Sequence, residues 1–149
     1  MIIGSCLTIL ALLAPYEPHL KEERIQVCTS LIKEAKSVGV DPALTLAVAW
    51  VESNWEEKRE PTKSKCFGAM QIKIKYWCPP LTGEWKPTQT NGKLKGCDPI
   101  KRGVFALEYY LKRFKTRNKA ISCYGGDCAD KDYLNKVLGK YRIIKKRLK

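Results

Sequence analysis

Residues 41–53 read Asp41-Pro42-Ala43-Leu44-Thr45-Leu46-Ala47-Val48-Ala49-Trp50-Val51-Glu52-Ser53. An aspartate followed by a proline marks a helix start, because the carboxylate caps free backbone N–H groups and the proline fits the first helical position. From Ala43 to Val51 the helix is apolar nearly all round, which makes it the central helix of a core rather than one lying on a surface. Glu52 falls in its last turn. A lone carboxylate there is partly desolvated and faces the negative end of the helix dipole, and both effects make ionisation expensive. A glutamate that merely emerges into solvent at a helix end would account for the same residue, so the surrounding sequence has to choose.

Upstream, Ile25, Cys28, Leu31, Ile32 and Ala35 recur at helical spacing, which predicts an amphipathic helix from Leu20 to Ser37 with Val27 flanking the stripe and Gly39 ending it. Downstream, the charged stretch Glu56 to Lys65, interrupted by Pro61, reads as a surface loop. Between Phe67 and Tyr76, Met70, Ile72, Ile74 and Tyr76 alternate with Gln71, Lys73 and Lys75, the pattern of a short strand or extended segment. Cys78 to Cys97 carries Pro79, Pro80, Gly83, Pro87, Asn91 and Gly92 with little periodicity and reads as a long loop that its flanking cysteines can hold down. Asp98-Pro99 opens another helix to about Phe114, with Val104, Leu107, Tyr110, Leu111 and Phe114 as its buried stripe. A short helix from Lys119 to Tyr124 breaks at Gly125-Gly126-Asp127, and Asp130 caps a last helix through Tyr133, Val137, Leu138 and Tyr141. The fold class expected is α+β, mainly α, with a small extended or β element.

A chain of 149 residues with 44% hydrophobic side chains makes one domain with one core. Its formal net charge of +13 attracts polyanions, whether nucleic acid, an anionic membrane or a cell wall. Met1 to Ala14 is apolar and uncharged. It is shorter than the roughly 20 residues of a membrane span and suits a signal sequence, with an uncleaved anchor or a buried first helix as alternatives. The organisation expected is therefore a signal-like or anchor segment and linker over residues 1–18, able to contact a membrane, and a catalytic domain over 19–149. If Cys6 leaves with such a segment, Cys28, Cys66, Cys78, Cys97, Cys123 and Cys128 remain. An even set in a small exported domain points to disulfides, although six cysteines allow roughly 15 pairings. Zinc is the rival use, but no pair has C-x-x-C spacing and His19 is the only histidine, so no metal or cofactor is expected.

After Glu52-Ser53 come Gly68-Ala69-Met70-Gln71, then Asp98-Pro99 with Tyr109, then Ile121-Ser122-Cys123-Tyr124-Gly125-Gly126, then Tyr133 before Val137. In kind and order these motifs resemble those of the lytic transglycosylase family, which cleaves peptidoglycan, over roughly residues 39–138. The resemblance implies a lysozyme-like domain in which Glu52 is the catalytic residue. It also implies that Ser53, Ser64 (or Thr62 beside it), Gln71, Tyr124 and Tyr133 hold substrate or steer Glu52. The family's asparagine after the tyrosine of the fourth motif is Gly125 here, and its Asn and Gly in the third fall near Arg102 and Ala106. Gly125 removes an amide that would hold substrate or position a tyrosine. Glycoside cleavage needs a protonated carboxylic acid at the leaving oxygen. Members of the family do this with one glutamate, which then takes the proton of the substrate's C6 hydroxyl as that oxygen attacks C1, giving a 1,6-anhydro sugar without water. Each residue also has a plainer use: Ser53 as a helix end, Gln71 as an exposed strand residue, Tyr124 as core.

Other groups compete for attention. Glu56, Glu57 and Glu60 read as a solvated loop; Asp127, Asp130 and Asp132 offer a hydrolytic carboxylate, with Asp130 already explained by capping; Trp77 and Trp85 suit either sugar stacking or burial. The leading expectation is an exported, monomeric peptidoglycan lytic transglycosylase of a bacteriophage or bacterium, acting on glycan strands and held by anionic wall polymers. The alternatives are a goose-type lysozyme-like muramidase using water and an aspartate, a non-catalytic wall-binding or virion module, and a basic nucleic-acid binder. The apolar N-terminus and the cysteines oppose the last, and no specific nucleic acid is expected.

Overall fold

A computed structural model describes residues 1–14, 16–78, 88–90 and 93–148. Its centre is α3 (Pro42–Ser53), which starts as expected: the Asp41 carboxylate accepts from Ala43 N at 2.9 Å and Pro42 occupies the first turn. Every residue from Ala43 to Trp50 is buried. Asn54, left-handed at φ 55°, ends the helix immediately after Glu52 and Ser53. Trp55 is fully buried and donates its indole N–H to Leu46 O at 2.9 Å, folding the chain back against α3.

Helix α2 (Lys21–Val38) and helix α7 (Lys131–Arg147) pack on α3, and α1 (Ile2–Leu13) packs on α2 and α7. The core stripe of α2 runs through Val27, Cys28, Leu31, Ile32 and Ala35, so Val27 is a core residue and Ile25 only half-buried. Also buried on α2 is Arg24, whose Nε donates to Asn54 O at 2.9 Å, whose Nη1 lies 3.2 Å from Glu17 and Nη2 3.7 Å from Glu56, and whose guanidinium covers the Trp50 ring. A paired and hydrogen-bonded cation is the tolerable kind of buried charge; here it fixes the exit of α3.

The cysteine set differs from the expected one. Cys6, Ile9 and Leu10 are the buried residues of α1, and Cys6 bridges to Cys28 with a Cα–Cα distance of 6.0 Å. Cys78 pairs with Cys97 and Cys123 with Cys128, leaving Cys66 as the free thiol. Cys6 lies on the face of α1 that meets α2, which the sequence could not reveal without the packing of the two helices. Among the described residues no helix is long and apolar enough to cross a membrane.

Strands β1 (Cys66–Phe67) and β2 (Ile72–Lys73) pair antiparallel, Cys66 with Lys73 and Phe67 with Ile72. The chain turns between them at Gly68-Ala69-Met70-Gln71, with Gly68 at φ 81° and Gln71 at φ 48°. Glycine is needed at 68: besides its left-handed backbone, a Cβ there would lie 2.5 Å from Pro99 Cβ at the start of α5 (Pro99–Arg113). The alternation beyond Lys73 does not continue as strand. Ile74–Trp77 form a helical turn, α4, because Ile74 N bonds Lys65 O and Cys78 N bonds Ile74 O, just before the disulfide. Inside the Cys78–Cys97 loop lies a second hairpin, β3 (Thr88–Thr90) with β4 (Lys93–Lys95); Trp85 falls outside the described residues.

Helix α5 (Pro99–Arg113) is capped by Asp98, α6 (Arg117–Tyr124) by Thr116 and α7 by Asp130, whose carboxylate accepts from Tyr133 N at 3.0 Å. On α5 the fully buried residues are Gly103, Val104, Ala106 and Leu107; Tyr110, Leu111 and Phe114 are half-buried, Leu111 against the core and Tyr110 and Phe114 towards a cleft. The architecture is α+β and mainly helical, as expected.

Candidate active site

The last turn of α3 delivers Glu52 to a cleft of about 450 Å³ bounded by the β1–β2 hairpin, α4, α5 and α6. Burial pushes the Glu52 carboxyl up from its ordinary 4.5 to about 7, against a smaller opposing effect from the Tyr133 hydroxyl. That hydroxyl donates to Glu52 Oε2 at 2.7 Å across 81 residues of sequence. Burial first, and the neighbouring Glu52 charge second, hold the Tyr133 hydroxyl well above the ordinary tyrosine range, so it remains a donor.

Tyr133 reaches this position because the corner between α6 and α7 is fixed. The Asp130 cap sets the first turn of α7, Ser122 Oγ donates to Asp130 O at 3.1 Å, and the Cys123–Cys128 bridge closes the connection. The opposite wall is the turn 68–71. Tyr124 donates its hydroxyl to Met70 O at 2.7 Å, and Ser53, buried at the end of α3, donates to Ala69 O at 2.6 Å with Ala49 O at 3.2 Å. Gln71 lines the cleft with its side-chain amide donated back to Gly68 O at 3.0 Å.

The residues singled out from the sequence therefore divide. Glu52, Ser64, Gln71 and Tyr124 line the cleft and Tyr133 touches Glu52. Ser53 does not line it: its hydroxyl is committed to two backbone carbonyls, so it braces the turn instead of meeting substrate. Thr62 stands behind Ser64, the two hydroxyl oxygens 3.2 Å apart. Tyr109 is exposed at the rim, and Tyr110 takes the cleft position, its ring 5.9 Å from that of Tyr124. One helical step of three from Leu107 puts Tyr110, not Tyr109, on the buried side. Trp77 is half-buried against Phe105, Tyr109 and Tyr110 while still lining the cleft, so it is packed and also faces the cleft. Cys66, Lys73 and Tyr76 also face the cleft; nothing in the sequence distinguished them from other residues of the hairpin.

The other described carboxylates singled out from the sequence do not line this cleft. Glu56 pairs with Arg24 and Lys58, and Glu57 with Arg59, so two of the three loop carboxylates are ion-paired and not simply solvated. Asp127 accepts from Ala129 N in an exposed turn and Asp130 is the cap of α7. Among the described residues lining the cleft, Glu52 is the only carboxylate.

Residues 29–140 match the family model described as the transglycosylase SLT domain. No curated protein and no solved structure matches the chain. Since the matched span takes in most of the chain, and with it Glu52, the turn 68–71, Tyr124 and Tyr133, the chain belongs to the transglycosylase SLT domain family and is an enzyme of the lytic transglycosylase type.

Proposed function

We propose that the protein cleaves the β-1,4 bond between N-acetylmuramic acid and N-acetylglucosamine in peptidoglycan, with Glu52 as its sole acid and base and a 1,6-anhydromuramic acid end as product. The observation that carries this reading is a carboxyl raised to about 7 in a cleft with no second carboxylate among its described lining residues. At neutral pH such a group is close to half protonated, so it can give a proton and take one back in successive steps. In the first, Glu52 protonates the glycosidic oxygen as the C1–O bond breaks. The carboxylate left behind is stabilised by the Tyr133 hydroxyl. In the second, it removes the proton of the C6 hydroxyl as that oxygen bonds to C1, restoring the acid with no water consumed. A two-carboxylate hydrolase would need a second such group, either as a base for water on the far face of the sugar or as a nucleophile.

Ser64 and Gln71 are assigned to substrate contact from the hairpin side; Tyr124 shapes the opposite wall and braces the turn through Met70 O, and Tyr133 holds Glu52. The rings of Tyr76, Trp77, Tyr110 and Phe114 along the same cleft give faces on which sugars stack. Export accompanies this reading, because three disulfides require an oxidising compartment. The charge of +13 would hold the enzyme on anionic wall polymers in a salt-dependent way. The exposed Ile3, Leu7 and Leu12 of α1 would supply membrane contact. Mass spectrometry of digested peptidoglycan tests the reaction: anhydro ends are expected, and reducing muramic acid ends would instead identify a muramidase.

A further inference from the structure

Gly125 follows α6 with φ −69° and ψ −5°, a backbone conformation open to any residue. Its surroundings are not. A Cβ built on Gly125 would lie 2.6 Å from Cδ1, 2.7 Å from Cε1 and 2.8 Å from Cγ of Tyr133. Carbon atoms in contact sit about 3.5–4.0 Å apart, so the ring would have to retreat by about 1 Å. The same ring carries the hydroxyl that donates to Glu52 at 2.7 Å, and a retreat of about 1 Å would take that contact to ~3.7 Å, outside hydrogen-bonding distance. Compensation by the backbone is blocked at both ends of the corner, by the Asp130 cap and Ser122 on one side and the Cys123–Cys128 bridge on the other.

We infer that Gly125 is a positioning residue: the side chain it lacks is the space in which the Tyr133 ring lies, and filling that space lifts the Tyr133 hydroxyl off Glu52. The departure from the family's asparagine is then tied to the tyrosine, because with this placement of Tyr133 any side chain at 125 collides with it. This rests on Glu52 being the working carboxyl. The titratable groups around Glu52 are Tyr133 from α7, Tyr124 from α6, Cys66 and Lys73 from the hairpin, Tyr76 from α4 and Tyr110 from α5. Of these, apart from its chain neighbour Tyr124, Tyr133 is the one that a Cβ at 125 would strike.

The test is a carbon-13 NMR titration of the Glu52 carboxyl in the full chain, comparing wild type with Gly125→Ala, Tyr133→Phe, the double variant and Gly139→Ala. Residue 139 lies on α7 with nothing within 4 Å of an added Cβ. Gly125→Ala and Tyr133→Phe should each raise the Glu52 midpoint by about one unit, the equivalent of one lost hydrogen bond to a charged group. The double variant should match Tyr133→Phe alone, and Gly139→Ala should match wild type. A folded Gly125→Ala protein with the wild-type midpoint, or a double variant that rises beyond Tyr133→Phe, overturns the inference. Should Gly125→Ala prove too unstable to titrate, its unfolding is measured in a Tyr133→Ala background against Tyr133→Ala alone: Gly125→Ala should add no instability once the ring is gone, and a cost as large as in the wild-type background overturns the inference equally. The titration does not read turnover, so an inactive enzyme would count against the proposed reaction while the midpoints still decide the role of Gly125.

Discussion

Replacing Glu52 by glutamine should stabilise the protein at high pH and change little at low pH. In the folded protein burial raises the carboxyl from 4.5 to about 7, so the native state holds the proton more tightly than the unfolded chain. Stability therefore falls as pH rises from about 4.5 to about 7 and levels off above, once the charge is present in both states. At roughly 1.4 kcal/mol per pH unit the penalty above pH 7 is about 3 kcal/mol, and screening from the open cleft reduces it to about 2–3 kcal/mol. Glutamine keeps the shape and an oxygen for the Tyr133 hydroxyl but never carries the charge. For a chain of this size the gain corresponds to a rise in Tm of roughly 4–12 °C. Thermal unfolding of wild type and Glu52→Gln at pH 4.5 and pH 8, with the disulfides intact, measures it. An equal Tm difference at both pH values, or a Glu52→Gln protein less stable than wild type at pH 8, would refute the claim that Glu52 is a strained, desolvated carboxyl.

Because the first step needs protonated Glu52, kcat/KM on soluble glycan should fall as pH rises through about 7; a rate that stays level to pH 9 would contradict that assignment. Ser53→Ala should destabilise the protein by about 1–3 kcal/mol in urea unfolding, since it leaves the Ala69 carbonyl without its 2.6 Å donor, and an unchanged midpoint would remove Ser53 from the brace. Replacing both Cys78 and Cys97 by serine should cost about 3 kcal/mol, the loop-closure entropy of a loop with a sequence separation of 19. The check is unfolding with Cys6–Cys28 and Cys123–Cys128 still oxidised, and no loss would mean that the loop is held by other contacts.

What could be read from the sequence was local. The caps Asp41, Asp98 and Asp130 announced α3, α5 and α7 because a short carboxylate before a proline or a first turn has one strong use. Periodicity gave the buried side of α2 except for the exchange of Ile25 and Val27, which flank opposite edges of the stripe, so that which of them is buried depends on how α1 and α3 meet the helix. The alternation after Phe67 suggested one extended segment and concealed the α4 turn, whose cause is a long-range hydrogen bond from Ile74 N to Lys65 O. Cysteine pairing was out of reach for the same reason. Motif order singles out Glu52, Ser64, Gln71 and Tyr124, which line one cleft, and Tyr133, which touches Glu52. That Ser53 braces a turn, that Tyr110 replaces Tyr109 at the cleft, and that Gly125 and Tyr133 occupy each other's space are facts of packing across 16 residues or fewer in sequence, yet none has a sequence signature.

The most direct test of a single glutamate acting as acid and then base is the chemistry of the ends it leaves. Purified peptidoglycan digested with wild type and with Glu52→Gln should yield 1,6-anhydromuramic acid fragments from the first and none from the second. Reducing muramic acid ends from wild type, or anhydro ends that persist in Glu52→Gln, would contradict it.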